Sequence, residues 1–288
     1  MNQTTAANTD YAHPQGLALL NHLVATVGPI FTITQASESG TTLGMPPEQV
    51  RTLLSRLAGS VWLARIKRGV YAVQTPLLGA ELHPFAVAAA LMENSAISHW
   101  SALAHHGFTT QIPPMVQAST PQKVVTPEMR HGAAYRPRGR AAWRTLDMEF
   151  EFIHVKPEHF FGFQLVWVSR WHQVRITDPE RTALDLFASS QLFGGTAAAI
   201  ETLSGFLDRL NLAQLVAYAL RYDVGAVIKR LGWALETLGA PREQLEPLRS
   251  YLASTTYLAE PSAPGAGVMV SRWRVRDNLS MRSAYGNR

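Results

Sequence analysis

Residues 45–73, MPPEQVRTLLSRLAGSVWLARIKRGVYAV, carry the most informative pattern of apolar and polar positions in the chain. Val50, Leu53, Leu54 and Leu57 recur at helical spacing behind Pro46 and Pro47, which suit a first turn because N–H groups there have no intrahelical partner to lose. The opposite face holds Glu48, Thr52 and Ser55, flanked by Arg51 and Arg56, so the exposed side is polar and basic. After Gly59 the pattern changes to short runs of β-forming residues, 61–66 and 70–73, joined through Lys67, Arg68 and Gly69. The pattern predicts a helix followed by a hairpin with a cationic tip. Upstream, Leu17, Leu20, Leu23, Val24 and Val27 predict a helix over 16–27. Residues 34–39 read as a short second helix, capped by Thr32 or Thr34 and stopped by Gly40.

Three helices followed by a two-stranded wing make a winged helix-turn-helix. In such a unit the third helix offers small polar and arginine side chains to base edges in the major groove, and the wing tip meets the phosphate backbone. The candidate DNA-contacting residues are therefore Gln49, Arg51, Thr52, Ser55 and Arg56 on the helix and Arg65, Lys67 and Arg68 on the hairpin. An amphipathic helix beside a hairpin also occurs in ordinary α+β domains, and lone arginines on a helix face are often merely solvated. The order of elements together with the basic turn favours DNA.

Beyond the wing, a mostly apolar Ala-rich helix is expected over 84–92, and a second runs from a Ser98 cap to His106 with Gly107 as its stop. Strand character follows at 115–120 and again from Val124. Leu146, Met148, Phe150 and Phe152 alternate with Asp147, Glu149 and Glu151, predicting a strand with one core face and one acidic face. Residues 164–169 and 172–177 read as a further pair of strands. TDPERTALDLF opens a helix through a Thr177–Glu180 capping box, or with Asp178 as cap and Pro179 at the first position. Helices over 197–209, 212–221, 224–238 and 242–253 come next, and 268–278 alternates like one last strand. The fold class expected is α+β: a winged helix-turn-helix domain at 1–78, then a larger mixed domain at 79–288 with a central sheet and a helical C-terminal half.

Composition narrows the chemistry. The 288 residues include no cysteine, which excludes disulfides, thiol catalysis and Cys-based zinc sites. No apolar run is long enough to span a membrane, and the first twenty residues lack a basic region ahead of an apolar core, so a cytoplasmic location is expected. A net charge of +5 draws the protein toward polyanions without saying which one. His99, His105 and His106 are spaced i, i+6 and i, i+7 with no carboxylate between them, unlike the i, i+4 pair of a helical metal site, so packing or capping is the preferred reading. The arginines of 130–144, beside Tyr135 and Trp143, read equally well as a nucleic-acid contact or as a solvated excursion. A D…ExK nuclease core would need an E-x-K step, and the sequence contains none. No cofactor or metal is expected, and no enzymatic activity.

Several stretches in combination resemble a known family. These are ISHWSALAHHGFTTQIP at 97–113, VRITDPERTALD at 174–185, the Gly194–Gly195 pair, IKRLGWALE at 228–236 and the closing W-x-V-x-x-N of 273–278, together with the LARIKRGVYAV wing. They resemble the AbiEi-like antitoxins of type IV, abortive-infection toxin–antitoxin systems, over nearly the whole chain. The resemblance implies an autorepressor that binds inverted repeats in duplex DNA upstream of its own operon and counteracts a nucleotidyltransferase toxin. Neutralisation by direct contact with the toxin, or an enzyme carrying a DNA-binding arm, are the alternatives. His99, Trp100, Asp178, Arg181, Arg230 and Glu236 match the family pattern. They include no nucleophile beside a base and no phosphate-binding loop, so a structural role is preferred, with a toxin-facing surface second.

Overall fold

The computed structural model describes residues 14–74, 81–132, 134, 136, 140–250 and 254–279. The chain gathers into two compact units: residues 1–94 with 144–149 and 166–174, and residues 95–143, 150–165 and 175–288. The boundary expected between 78 and 79 lies outside the described residues.

The first unit opens with α1 (Pro14–Thr26), β1 (Ile30–Thr32), α2 (Ile33–Thr42) and α3 (Pro47–Ala58), followed by β2 (Leu63–Lys67) and β3 (Val70–Val73). The three strands pair in the order β1-β3-β2, antiparallel throughout. This is the winged helix-turn-helix expected from the pattern, with one strand, β1, that the pattern did not announce. Val50, Leu53, Leu54 and Leu57 are all buried, packed in one core with Leu19, Leu20, Leu23, Phe31 and Leu63. Each fully buried aliphatic side chain of this kind contributes about 1.5–3 kcal/mol of transfer free energy.

Thr32, not Thr34, caps α2. Its hydroxyl accepts from the Gln35 N–H at 3.2 Å, and Gln35 Oε1 accepts from the Thr32 N–H at 2.8 Å, a reciprocal capping box. The helix also runs past Gly40 to Thr42, because Gly40 is a buried contact with Val50 of α3 and not a stop. α4 (Pro84–Leu91) belongs to the same unit and is capped by His83, whose Nδ1 accepts from the Phe85 N–H.

The second part of the chain contributes β4 (Ala96–Ile97), α5 (His99–His105), β5 (Val116–Thr120), α6 (Pro127–Arg130), β6 (Arg140–Thr145), β7 (Met148–His154), β8 (Phe163–Trp167) and β9 (Gln173–Thr177). The strands form one six-stranded sheet in the order β6-β7-β5-β4-β9-β8, mixed in direction: β5 lies parallel to β7 and β4 to β9, while β4 and β5 are antiparallel. No strand begins at Val124; Thr126 instead caps the short α6. Leu146 and Asp147 both take positive φ, 55° and 56°, which makes the β6–β7 connection a two-residue turn of the kind that matches strand twist. The expected acidic face of β7 is not a solvent face at Glu151, which is buried under Arg136, Arg140 and Gln117.

The C-terminal half is α7 (Pro179–Ala188), α8 (Thr196–Ser204), α9 (Leu212–Tyr222), α10 (Gly225–Thr237) and α11 (Arg242–Arg249), with a small sheet of β10 (Tyr257–Leu258), β11 (Val268–Val270) and β12 (Val275–Asp277). The single strand expected over 268–278 is thus two, β11 and β12, paired antiparallel across the turn at 271–274. The helix expected over 197–209 breaks at Gly205 into α8 and a 3-10 turn, Leu207–Arg209. The end of the helix expected over 242–253 lies outside the described residues.

Replacing Thr32 by alanine removes the hydroxyl half of the α2 capping box, leaving the backbone N–H of residue 32 to Gln35, and is expected to cost about 1 kcal/mol of stability. Urea unfolding should show a lower midpoint with an unchanged slope, and an unaltered midpoint would contradict the capping account.

Candidate nucleic-acid interface

α3 presents its polar side as the helical spacing requires, since burying Val50, Leu53, Leu54 and Leu57 leaves Arg51, Thr52, Ser55 and Arg56 exposed. Arg51 makes an ion pair with Glu48 at 2.7 Å, but their side chains are 62% and 82% exposed. Such a pair contributes little and gives way to a stronger anion. The Thr52 hydroxyl donates to the Glu48 carbonyl one turn back at 3.0 Å, leaving its methyl as the outward group. Arg56 makes no hydrogen bond or ion pair with the described residues, and the same holds for Arg65 and Arg68, exposed on the wing.

Two of the expected contacts are placed elsewhere. Gln49 is half-buried and its amide donates to Gln15 of α1 at 2.8 Å. Lys67 is only 23% exposed: its ammonium donates to the Leu91 carbonyl at 3.3 Å, at the C-terminal end of α4, and lies 3.7 Å from Glu93. A β-bulge between Arg65 and Lys67 is the cause. The extra residue lets Leu63 and Ile66, an odd number of positions apart, both enter the core, and it turns Lys67 off the outer face. A cation at the negative end of α4 is well placed for the fold, and the exposed cations of the wing are Arg65 and Arg68.

In the second unit the residues of the family-like motifs are drawn into a frame. Arg181 and Asp185 form a buried pair at 2.9 Å, and Arg181 also donates to the carbonyls of His159 and Phe161. Asp178 caps α7, accepting from the Arg181 N–H at 2.8 Å and from the Tyr218 hydroxyl at 2.7 Å. Burial first, and then the Asp185 carboxylate, push the Tyr222 hydroxyl up to about 12. Arg230 donates to the Leu258 carbonyl at 2.9 Å. Glu236 accepts from the Trp273 indole N–H and pairs with Arg242 and Arg272.

The two glycine motifs have physical causes. Gly195 stands at φ 102° before α8, and a Cβ there would lie 2.5 Å from Glu260 Oε2. The Glu260 carboxylate takes that place, accepting from the Thr196 N–H at 2.7 Å, from Gln191 at 2.8 Å and from Ser262. Burial alone would raise its pKa, but these hydrogen bonds prevail and hold it below the ordinary glutamate value. Gly232 leaves room for the buried Trp273 ring, which a Cβ would overlap, and Asn278 closes the same region through Glu260 and Pro264.

His99 is buried at a left-handed backbone position, φ 55°, with Nδ1 2.8 Å from the Ser98 hydroxyl and its ring stacked on Phe193. Trp100 donates from its backbone to Gln117 and from its indole to the Leu192 carbonyl. His106 bonds to the Thr177 carbonyl at 2.7 Å. Among the described residues, no three His, Asp or Glu side chains group as a metal site.

The arginines of 130–144 were expected to be either a nucleic-acid surface or solvated, and two of them are neither. Arg136 and Arg140 both turn onto Glu151, at 3.0 and 3.2 Å, while Gln117 donates to its other oxygen at 2.9 Å. Arg144 pairs with Glu149 at 2.9 Å, and Tyr135 and Arg138 lie outside the described residues. Sequence reasoning missed the Glu151 cluster. The signal available was the strand alternation itself, which places Glu151 and Gln117 on particular faces but does not say that both faces of an interior strand are covered.

An exposed polar helix flanked by an arginine-bearing hairpin is the arrangement of a DNA-binding module. Residues 19–74, which carry it, match the family described as "Transcriptional regulator, AbiEi antitoxin". The fold of the chain is similar to that of the RV2827C protein from Mycobacterium tuberculosis in its crystal structure, with a TM-score of 0.64 over 96% of each chain and 15% identity. No curated protein matches the sequence. Among the described residues, no helix is long and apolar enough to cross a membrane.

Burial, ahead of the nearby Asp185, Arg181, Glu151 and Arg140 charges, lowers the His99 pKa, so the folded chain takes up this proton less readily than the unfolded one. The unfolded chain protonates it near the ordinary value of about 6.5. Below that pH the proton favours the unfolded state, and the stability present above it is lost as pH falls, by up to about 1.4 kcal/mol per pH unit. His99→Asn tolerates the left-handed backbone and cannot be protonated. Its loss of unfolding free energy between pH 7 and pH 5 should be smaller than that of the wild type, and equal losses would exclude His99 as the source.

Proposed function

We propose that the chain is a cytoplasmic DNA-binding autorepressor and antitoxin, without a catalytic step of its own, that counteracts a nucleotidyltransferase toxin. In this reading residues 1–78 are the DNA-binding domain and residues 79–288 the antitoxin domain. The observation that carries it is the set of exposed side chains on α3 and the wing, within the segment that matches the antitoxin regulator family. Arg51, Thr52, Ser55 and Arg56 meet base edges and flanking phosphates, and Arg65 and Arg68 hold the backbone beside them. Inverted repeats upstream of the protein's own operon are the expected target. His99, Trp100, Asp178, Arg181, Arg230 and Glu236 hold the antitoxin domain in shape and leave contact with the toxin to the surface they support.

Gel-shift titration with the DNA upstream of the gene, at two salt concentrations, tests the first half. Replacing Arg65 and Arg68 by alanine should weaken binding to all sequences and reduce the magnitude of the log–log salt slope by about 2, since each phosphate contact releases close to one counterion. Arg56→Ala or Ser55→Ala should instead change which sequence is preferred, by about 1–3 kcal/mol at the contacted base pair. Lys67→Ala, held back on α4, should leave the salt slope where it was. If the Arg65/Arg68 pair can be removed with no change in slope, the wing is not the phosphate contact. Expression of the neighbouring nucleotidyltransferase with and without this chain tests the second half.

A further inference from the structure

A cavity of about 410 Å³ in the second unit opens beside the Glu151 cluster, and neither the DNA-binding reading nor the motif frame uses it. Trp100, Ile112, Pro113 and Pro114 contribute to its apolar lining, and Arg136, Arg140, Glu151 and Gln117 to its polar lining. Glu151 is 1% exposed, whereas Arg136 and Arg140 are 31% and 22% exposed and reach the cavity. The buried carboxylate, pinned in turn by the Gln117 amide, fixes where those guanidinium groups stand before any ligand arrives, which lowers the ordering cost of binding. Gln117 is itself held, because its carbonyl accepts from the Trp100 N–H at 3.0 Å. Paired guanidinium groups suit phosphate by geometry as well as charge, and indole and proline faces suit a flat ring. The volume is that of a small-molecule site.

We propose that this cavity binds a nucleoside phosphate, with the phosphate on Arg136 and Arg140 and the base against Trp100 and Pro113. The inference stands on the second unit alone and does not rest on the DNA-binding reading.

Calorimetric titration of the full-length protein with ATP, pyrophosphate and adenosine tests it. ATP should bind with one site per chain, pyrophosphate more weakly, and adenosine at least about tenfold more weakly than ATP, for want of the charged contacts. Arg136→Ala leaves Glu151 with Arg140 and Gln117, so the fold is kept, and ATP affinity should fall about tenfold. Glu151→Gln removes the carboxylate that holds both guanidinium groups in place and should weaken ATP binding; circular dichroism confirms that each variant is folded, and Arg136→Ala decides alone if Glu151→Gln is not. Arg65→Ala with Arg68→Ala should leave the ATP isotherm unchanged. Absence of ATP binding at millimolar concentration, adenosine binding as tightly as ATP, an Arg136→Ala variant that binds ATP like the wild type, or loss of ATP binding in the Arg65/Arg68 variant each overturns the proposal.

Discussion

A carboxylate taken out of water must find donors for its oxygens, and Glu151, Asp185 and Glu260 are each at most 2% exposed. The second unit meets most of that demand. Glu260 has the start of α8 with Gln191 and Ser262, Glu151 has two arginines and an amide, and Asp185 has Arg181 on Oδ1, while its Oδ2 meets no donor among the described residues. Removing one donor set would strand a charge, at a cost of about 3–5 kcal/mol, comparable to a good part of a domain's net stability. Residues far apart in sequence are therefore tied together: Gly195 is a glycine because a carboxylate 65 positions later occupies the space of its Cβ. Trp273 lies on α10 because Gly232 has no side chain to exclude it.

The first unit follows the opposite economy. Its core is apolar and the arginines of α3 and the wing stay outside, so side-chain periodicity alone predicts the unit well. The stripe Val50, Leu53, Leu54, Leu57 fixed both the buried face of α3 and, by subtraction, the exposed one. What periodicity could not predict was the bulge at 65–67. A strict two-residue period would put Lys67 on the same face as Arg65; one inserted residue breaks the rule and sends Lys67 to the end of α4. Gly40 misleads for a related reason. Glycine stops helices when it supplies a left-handed residue, but it also appears where two helices touch, and local sequence does not distinguish the two.

In the second unit local pattern succeeded for elements and failed for partners. The Asp178-Pro179 start of α7 was legible because a cap and its helix are neighbours in sequence. The role of Glu151 was not, because its burial depends on Gln117, Arg136 and Arg140, side chains that no single window of sequence places against it. The same limit applies to the basic loop. An arginine count over 130–144 cannot say that Arg136 and Arg140 face inward, since the carboxylate that turns them is on the next strand.

The distinction between outward and inward arginines bears on function more directly than net charge does. Arg56, Arg65 and Arg68 stand in solvent, where their attraction for a polyanion is long-ranged and screened by salt. Arg136 and Arg140 are fixed by a buried acid at the edge of a cavity, where attraction is short-ranged and geometry selects the ligand. The first arrangement suits a duplex, whose phosphates are many and evenly spaced. The second suits a single phosphate group presented at one place. Both are made from the same residue type, so the difference lies in what each guanidinium is already bound to. An overall charge of +5 contains no trace of it.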